Sequence, residues 1–283
     1  MGKADLHTHT IASDGSLTTE ELLKRAKLKG LNTLAITDHD TIKGYLSGKV
    51  IAKELNIDLI AGVEITALWK NREVHLLAYG FDDEDTDFLN MLLRQKRARV
   101  KRMAAIVEKL KKQGLDISLD EVKAESGIGN IGRPHAAAVL MQKKYVGSVS
   151  EAFIRYLSTE KLRSITTEYA EIKEVVETTH AAGGVLSLAH PGPLYSSDEI
   201  DEILSAGLDG LECIHPSHNF NVQRTFAKLA ESRGLLITGG SDFHGKRKSD
   251  YDPYFGVVTI GKQHVESIKR MAARRKNSVQ TEG

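Results

Sequence analysis

The chain is almost free of cysteine. Cys213 is the only one in 283 residues, so no internal disulfide and no thiolate zinc site can form, and the usage fits a reducing cytoplasm. Net charge is also nearly absent: 39 Lys and Arg against 38 Asp and Glu leave a formal +1. That argues against a general nucleic-acid coat and leaves only a local basic patch open. No apolar run approaches the ~20 residues that span a bilayer. No apolar signal region follows Met1-Gly2-Lys3-Ala4-Asp5, and Gly2 lacks the serine or threonine context of a myristoylation site. The expectation is a cytoplasmic protein with no membrane partner and no obligate protein partner. There is no low-complexity tract and no Walker-type loop.

What is present is enough apolar material, 41% of residues, for a sizeable core. Short β-rich runs alternate with amphipathic helical runs, the pattern of an α/β sheet or barrel. A first strand is expected over about Lys3 to His9. A helix follows, opening at the capping box Thr18-Thr19-Glu20-Glu21 and stopping at Gly30. Further strands are expected at Leu31 to Thr37, Asp58 to Ile65, Val74 to Tyr79, Gly184 to Ala189, Gly210 to Ile214 and Leu235 to Thr238. Residues 97–163 break the rhythm and read as a small helical insertion covering the active site. Residues 1–96 and 164–283 form the remainder, and the tail from Arg274 reads as polar and frayed.

The chemistry-bearing residues sit where these strands end, the place where parallel α/β folds build sites. In a strand His7 and His9 share a face. Alone, such a pair is more often two ordinary histidines than a chelate. Asp14, His39, Glu64, His190, Asp242 and His244 follow other strands, and that repetition points to a metal cluster rather than unrelated buried histidines. Nitrogen and oxygen donors without sulfur suit manganese, iron or zinc better than magnesium. His75 lies at the start of its strand. It joins the site only if Lys70-Asn71-Arg72 turns the chain into a hairpin that carries it back towards Glu64. Asp38 and Asp40 flank His39 and are expected to orient it.

Asp5-Leu6-His7-Thr8-His9-Thr10, Thr37-Asp38-His39-Asp40, Gly62-Val63-Glu64, Ala189-His190-Pro191 and Gly240-Ser241-Asp242-Phe243-His244 together resemble the motifs of the PHP (polymerase and histidinol phosphatase) superfamily. The resemblance implies a distorted seven-stranded β/α, TIM-like barrel holding three divalent metal ions. It places His7, His9, Glu64 and Asp242 on the first, bridging Glu64 with His75 and His190 on the second, and Asp14, His39 and His244 on the third. Gly132-Arg133-Pro134-His135 and His215-Pro216-Ser217-His218-Asn219 resemble a branch that includes nucleoside 3′,5′-bisphosphate phosphatases and 5′–3′ exoribonucleases.

Pro134 suits a first helical turn. Arg133 and His135 would then stand at a helix N-terminus, where backbone N–H groups and a guanidinium favour phosphate; the alternative is a helix start with a solvated arginine. His218 is a second expected substrate contact or proton donor, against a loop histidine held by Asn219 or solvent. The basic run Arg94, Lys96, Arg97, Arg99, Lys101 and Arg102 reads first as a solvated helix face. Trp69 could stack on a base or pack at the hairpin. The chemistry expected is in-line phosphoester hydrolysis by a metal-activated water, with Arg133 offsetting developing charge. The substrate would be a nucleotide or short oligonucleotide. Alternatives are another small phosphorylated metabolite, such as histidinol phosphate, or a non-catalytic metal-bound module.

Overall fold

The computed structural model describes residues 2–282, and their side chains except at 193, 247–250 and 279–282. Chain order is β1 (Lys3–Asp5), α1 (Thr19–Leu28), β2 (Thr33–Ala35), α2 (Lys43–Glu54), β3 (Asp58–Ile60), β4 (Gly62–Trp69) and β5 (Arg72–Tyr79). The helices α3 (Thr86–Lys112), α4 (Leu119–Ser126), α5 (Arg133–Gln142) and α6 (Val149–Ala152) follow, and α6 runs into a π turn at Phe153–Leu157. Then come α7 (Ile172–Ala181), β6 (Val185–Leu188), α8 (Ser197–Leu204), β7 (Gly210–Ile214), α9 (Phe220–Ser232), β8 (Leu236–Gly239), β9 (Ile260–Gly261) and α10 (Lys262–Glu282).

Local chemistry sets the first helix. The Thr18 hydroxyl accepts from the Glu21 N–H at 3.2 Å, and the Glu21 carboxylate accepts from the Thr18 N–H at 2.8 Å. That reciprocal pair satisfies two of the donors a helix start leaves over. Leu22, Leu23 and Ala26 bury one stripe, and Gly30, at φ 73°, takes the left-handed turn that ends it.

The strands form two sheets, ordered β3-β2-β1-β9 and β4-β5-β6-β7-β8. Strands β1 to β3 run parallel, as do β6 to β8, whereas β4-β5 and β5-β6 are antiparallel. Single bridges, Thr8 to Phe243 and His39 to Glu64, link the sheets at their margins. The expected seven-stranded barrel is therefore seen as a mixed α/β structure of two sheets. Strands of three residues such as β1 and β2 are too short to carry an unbroken ladder around a ring. The single strand expected from Asp58 to Ile65 divides at Ala61, its first half in one sheet and its second in the other. Gly62 makes that crossing feasible, because a Cβ there would lie 3.0 Å from the Ile36 carbonyl oxygen.

The expected hairpin forms between β4 and β5. Trp69 pairs with Arg72, and Lys70 and Asn71 sit at φ 50° and 61°. Two left-handed residues in a two-residue loop match the twist of the flanking strands. Helix α3 crosses the expected boundary at residue 97 without a break. Its Phe88, Met91 and Leu92 join the core beneath β4 to β7. Its Met103, Ile106, Val107 and Leu110 join a separate core with residues of α4, α5 and α6. The tail expected to be frayed continues as helix: α10 runs through Glu282, and Arg275 ties its earlier part to the sheet by ion-pairing with Asp209 at 2.7 Å and bonding the Gly184 carbonyl at 2.7 Å. No helix among the described residues is long and apolar enough to cross a membrane.

Candidate metal centre

The chain past β1 keeps its strand-like alternation for four residues. Thr8 turns away and donates its hydroxyl to the Ala35 carbonyl at 2.8 Å, while His7 and His9 face the same side with ring centroids 5.2 Å apart. Between them and the β4-β5 hairpin lies Glu64, fully buried in the third position of β4 rather than at a strand end. Its Oε2 is 3.3 Å from His7 Nε2, 3.2 Å from His9 Nε2 and 3.2 Å from His39 Nδ1. Its Oε1 is 2.9 Å from His75 Nδ1 and 3.0 Å from His190 Nε2. Hairpin pairing puts His75 opposite Thr66, so two antiparallel strands deliver both groups to one point. Burial alone would raise the Glu64 pKa, but the imidazoles of His39, His7 and His75 outweigh it and hold the carboxyl well below its usual range.

Two further carboxylates complete the cluster. Asp242 Oδ1 lies 3.4 Å from the Nε2 atoms of both His7 and His9. Asp14 lies 3.3 Å from His244 Nε2 and 3.8 Å from both His39 Nε2 and His9 Nδ1. All nine expected ligands are thus brought together. Donor atoms of His9, Asp14, His39 and His244 lie within 4.8 Å of one another, as do those of His7, His9 and Glu64 and those of His39, Glu64 and His75. His190 and Asp242 both take positive φ, 30° and 50°, backbone strain of the kind that surrounding structure must hold in place.

The donors fit divalent cations. Both ring nitrogens of His9, Asp14 Oδ1, His39 Nδ1 and His75 Nδ1 are buried without a well-directed hydrogen bond, although carboxylate or imidazole atoms stand 2.9–3.8 Å from them. Buried polar groups are normally paired, and these orphans converge as an imidazole and carboxylate set that matches first-row ions.

Sequence reasoning gave no role in the site to two residues that set the others. Glu212, buried in β7, meets His7 Nδ1 at 2.9 Å and accepts from the His190 N–H at 2.6 Å. This holds the proton on His7 Nδ1 and aims Nε2 inward. A glutamate inside the apolar run Gly210 to Ile214 was the available signal. His215 accepts the Ser217 N–H at Nδ1, so its Nε2 proton faces Asp242 Oδ2 at 3.3 Å. Asp38 and Asp40 do not orient His39 as expected. Asp38 accepts from the Thr10 N–H and from the Thr10 and Ser13 hydroxyls, fixing the loop that carries Asp14. Asp40 accepts from the Thr66 N–H and pairs with Arg99 at 2.8 Å.

The cluster forms the floor of a cavity of about 630 Å³ whose wall includes Arg99, Arg102 and Arg133. Arg133 opens α5 as expected, and among the described residues its hydrogen bonds go to neutral partners, the Leu157 carbonyl at 3.4 Å and the Thr159 hydroxyl at 3.2 Å. Burial and the nearby Arg102 lower its pKa. His135 does not reach the cavity: its Nδ1 accepts the Gly132 N–H at 2.9 Å and caps the start of α5. His218 is also turned away. The Gly192 N–H donates to its Nε2 and its Nδ1 proton goes to the Cys213 carbonyl, both at 3.0 Å, so neither nitrogen is left for substrate. The basic run divides. Arg99 and Arg102 point inward and pair with Asp40 and Glu73, whereas Arg94 and Lys101 make surface pairs with Glu174 and Glu168. Trp69 packs in the core at the hairpin.

Residues 5–215 match the model of the PHP domain family. A 5′-3′ exoribonuclease of Haemophilus influenzae is 37% identical over 247 residues, covering 86% of this chain and 90% of its own. A 3′,5′-nucleoside bisphosphate phosphatase of Chromobacterium violaceum is 29% identical over 258 residues, covering 89% and 90%. A solved structure from Bifidobacterium adolescentis, described as a metal-dependent phosphoesterase, superposes with a TM-score of 0.85 at 33% identity and covers 95% of this chain and 96% of its own. The geometry and these likenesses agree: the chain belongs to the PHP domain family and is a metal-dependent phosphoester hydrolase.

Proposed function

We propose that the enzyme removes the 3′-phosphate from nucleoside 3′,5′-bisphosphates, and that the same centre trims short RNA from its 5′ end. The observation that carries this reading is Arg133, a guanidinium with neutral partners opening on the same cavity as the histidine and carboxylate cluster. A phosphate on the cluster and a second anionic group at the wall fit one bisphosphate ligand. The names of the Haemophilus and Chromobacterium relatives support a nucleotide or RNA substrate.

Three divalent ions, of manganese, iron or zinc, would occupy the cluster. His7, His9, Glu64 and Asp242 would hold the first, Glu64, His75 and His190 the second, and Asp14, His39 and His244 the third. Such ions lower the pKa of a water and polarise phosphoryl oxygens. The chain's own part is positional. Glu64 would offer one oxygen to each of two ions, Glu212 and the Asp242 main-chain carbonyl fix which nitrogens of His7 and His244 face inward, and Arg133 would bind phosphate oxygens. The only cysteine is buried in β7, where burial pushes its thiol up to about 12, so it is no nucleophile. In this reading residues 97–163 act as the unit that covers the centre, and the two sheets, bridged at Thr8 and His39, serve as a distorted barrel around it.

Phosphate release from adenosine 3′,5′-bisphosphate with added manganese tests the reading. Activity abolished in Asp242→Asn supports it. No release from any nucleotide under several metals overturns it. A 5′-labelled short RNA in the same assay decides the trimming activity.

A further inference from the structure

The connection between α4 and α5 runs against two loops of the metal centre, although some 90 residues separate it from the second of them. Gly129 permits the approach, since a Cβ there would stand 2.5 Å from the carbonyl oxygens of both Ile11 and Ser13. The next residue, Asn130, is 3% exposed and uses every donor it has on those loops. Its N–H donates to the Ala12 carbonyl at 2.9 Å. Its carboxamide nitrogen donates to the His39 carbonyl at 2.9 Å and to the Asp40 carbonyl at 3.1 Å. Among the described residues no other donor reaches either of these two oxygens. The loop at Ala12 carries Asp14, and the loop at Asp40 carries His39.

The backbone at this point needs holding. Asp40 takes a φ of 53°, a conformation that persists in a residue with a side chain only where its surroundings impose it. Its carboxylate is fixed by the Thr66 N–H at 2.8 Å and by Arg99, and its carbonyl by Asn130. His39 stands immediately before, with Nδ1 3.2 Å from Glu64 Oε2 and Nε2 3.8 Å from Asp14 Oδ2. A shift of the peptide between residues 39 and 40 would swing that ring away from both carboxylates. Asn130 does not line the cavity, so whatever it contributes passes through the backbone it bonds. We propose that Asn130 is a positioning residue for the third ion, and that residues 97–163 therefore complete the metal centre as well as cover it. This rests on the reading that Asp14, His39 and His244 hold an ion of their own.

The test strips the full chain with a chelator, reloads it with manganese, desalts it and counts ions per chain by elemental analysis. Calorimetric titration of the metal-free protein gives the affinities. The parent should keep three ions and Asn130→Ala two, with the third bound about 10- to 100-fold more weakly, the usual effect of losing a group that orients a ligand. Excess manganese should then restore kcat in Asn130→Ala with KM unchanged. Asn130→Leu keeps the volume, removes the donors and excludes a replacing water, so it should lose the same ion and serves if Asn130→Ala does not fold. Asp14→Ala, which removes a ligand outright, identifies the ion concerned. Adding Asn130→Ala to it should remove no further ion, whereas adding Asn130→Ala to His190→Ala should leave one. Parental metal content and affinity in both Asn130 variants, while Asp14→Ala loses an ion, overturns the proposal, even if their unfolding midpoints fall. So does a further ion lost when Asn130→Ala joins Asp14→Ala. An Asp14→Ala protein that keeps every ion would instead refute the three-ion placement, and the role of Asn130 with it.

Discussion

Glu212 meets His7 Nδ1 at 2.9 Å with both side chains fully buried. The carboxylate fixes the tautomer of His7 and, through the His190 N–H, the start of the loop carrying a second ligand. Glu212→Gln keeps the shape and removes the charge. Metal affinity should fall about 10- to 100-fold, read by metal content after titration with a chelator. Unchanged metal retention would show that His7 is held by packing alone.

Arg133→Ala should leave metal content as it is and raise KM. A charged hydrogen bond to phosphate contributes about 1.5–3 kcal/mol, so the rise should be about 10- to 150-fold, with Arg133→Lys recovering part of it. Steady-state kinetics beside elemental analysis separate the two effects. Loss of metal in Arg133→Ala would place the guanidinium in the cluster's support instead.

His218→Ala should act on stability. It leaves the Gly192 N–H and the Cys213 carbonyl without their partner, a loss of about 1–3 kcal/mol. Denaturant unfolding should show this while kcat per folded molecule stays within about twofold. Burial lowers the His218 pKa from its ordinary 6.5. The unfolded chain therefore binds the extra proton first, and this histidine's contribution is present above pH 6.5 and declines below it. A collapse of kcat in folded His218→Ala would restore it to the chemistry.

At the opposite end of the sheet, Asp209 pairs with Arg275 at 2.7 Å and with His180 at 2.9 Å. Burial would raise its pKa, but hydrogen bonds from His180, Arg275 and the Leu186 N–H lower it from 3.8 to about 2. A depressed carboxyl stabilises above its unfolded pKa, so the contribution of about 2 kcal/mol is complete above pH 4 and disappears as pH falls towards 2. Asp209→Asn should lower unfolding free energy by about that amount at pH 7, with the difference from the parent protein shrinking below pH 4. A difference that does not change with pH would assign the effect to packing.

Much of the site was legible in the sequence because metal ligation restricts residue type and strand ends restrict position. Thr18 and Glu21 announce α1, the Lys70-Asn71 turn announces the hairpin, and seven of the nine ligand positions stand past the ends of strands, with Glu64 and His75 inside the two strands of the hairpin. Where a run would break was not legible: one apolar stretch from Asp58 to Ile65 serves two sheets because Gly62 lets the chain pass beneath β2. Side-chain direction was equally hidden. His135 and His218 carry the residue type of a phosphate contact, but each is nearer to a backbone group that needs a partner than to the cavity. Arg99 and Arg102, read as a solvated face, turn inward because Asp40 and Glu73 wait there, brought by the loop after β2 and by β5 from some 30 to 60 residues away. The ordered set of histidines and carboxylates by itself determined the chemistry. Which basic and aromatic groups share its cavity was decided by the tertiary structure, since only packing sets the partner each side chain meets.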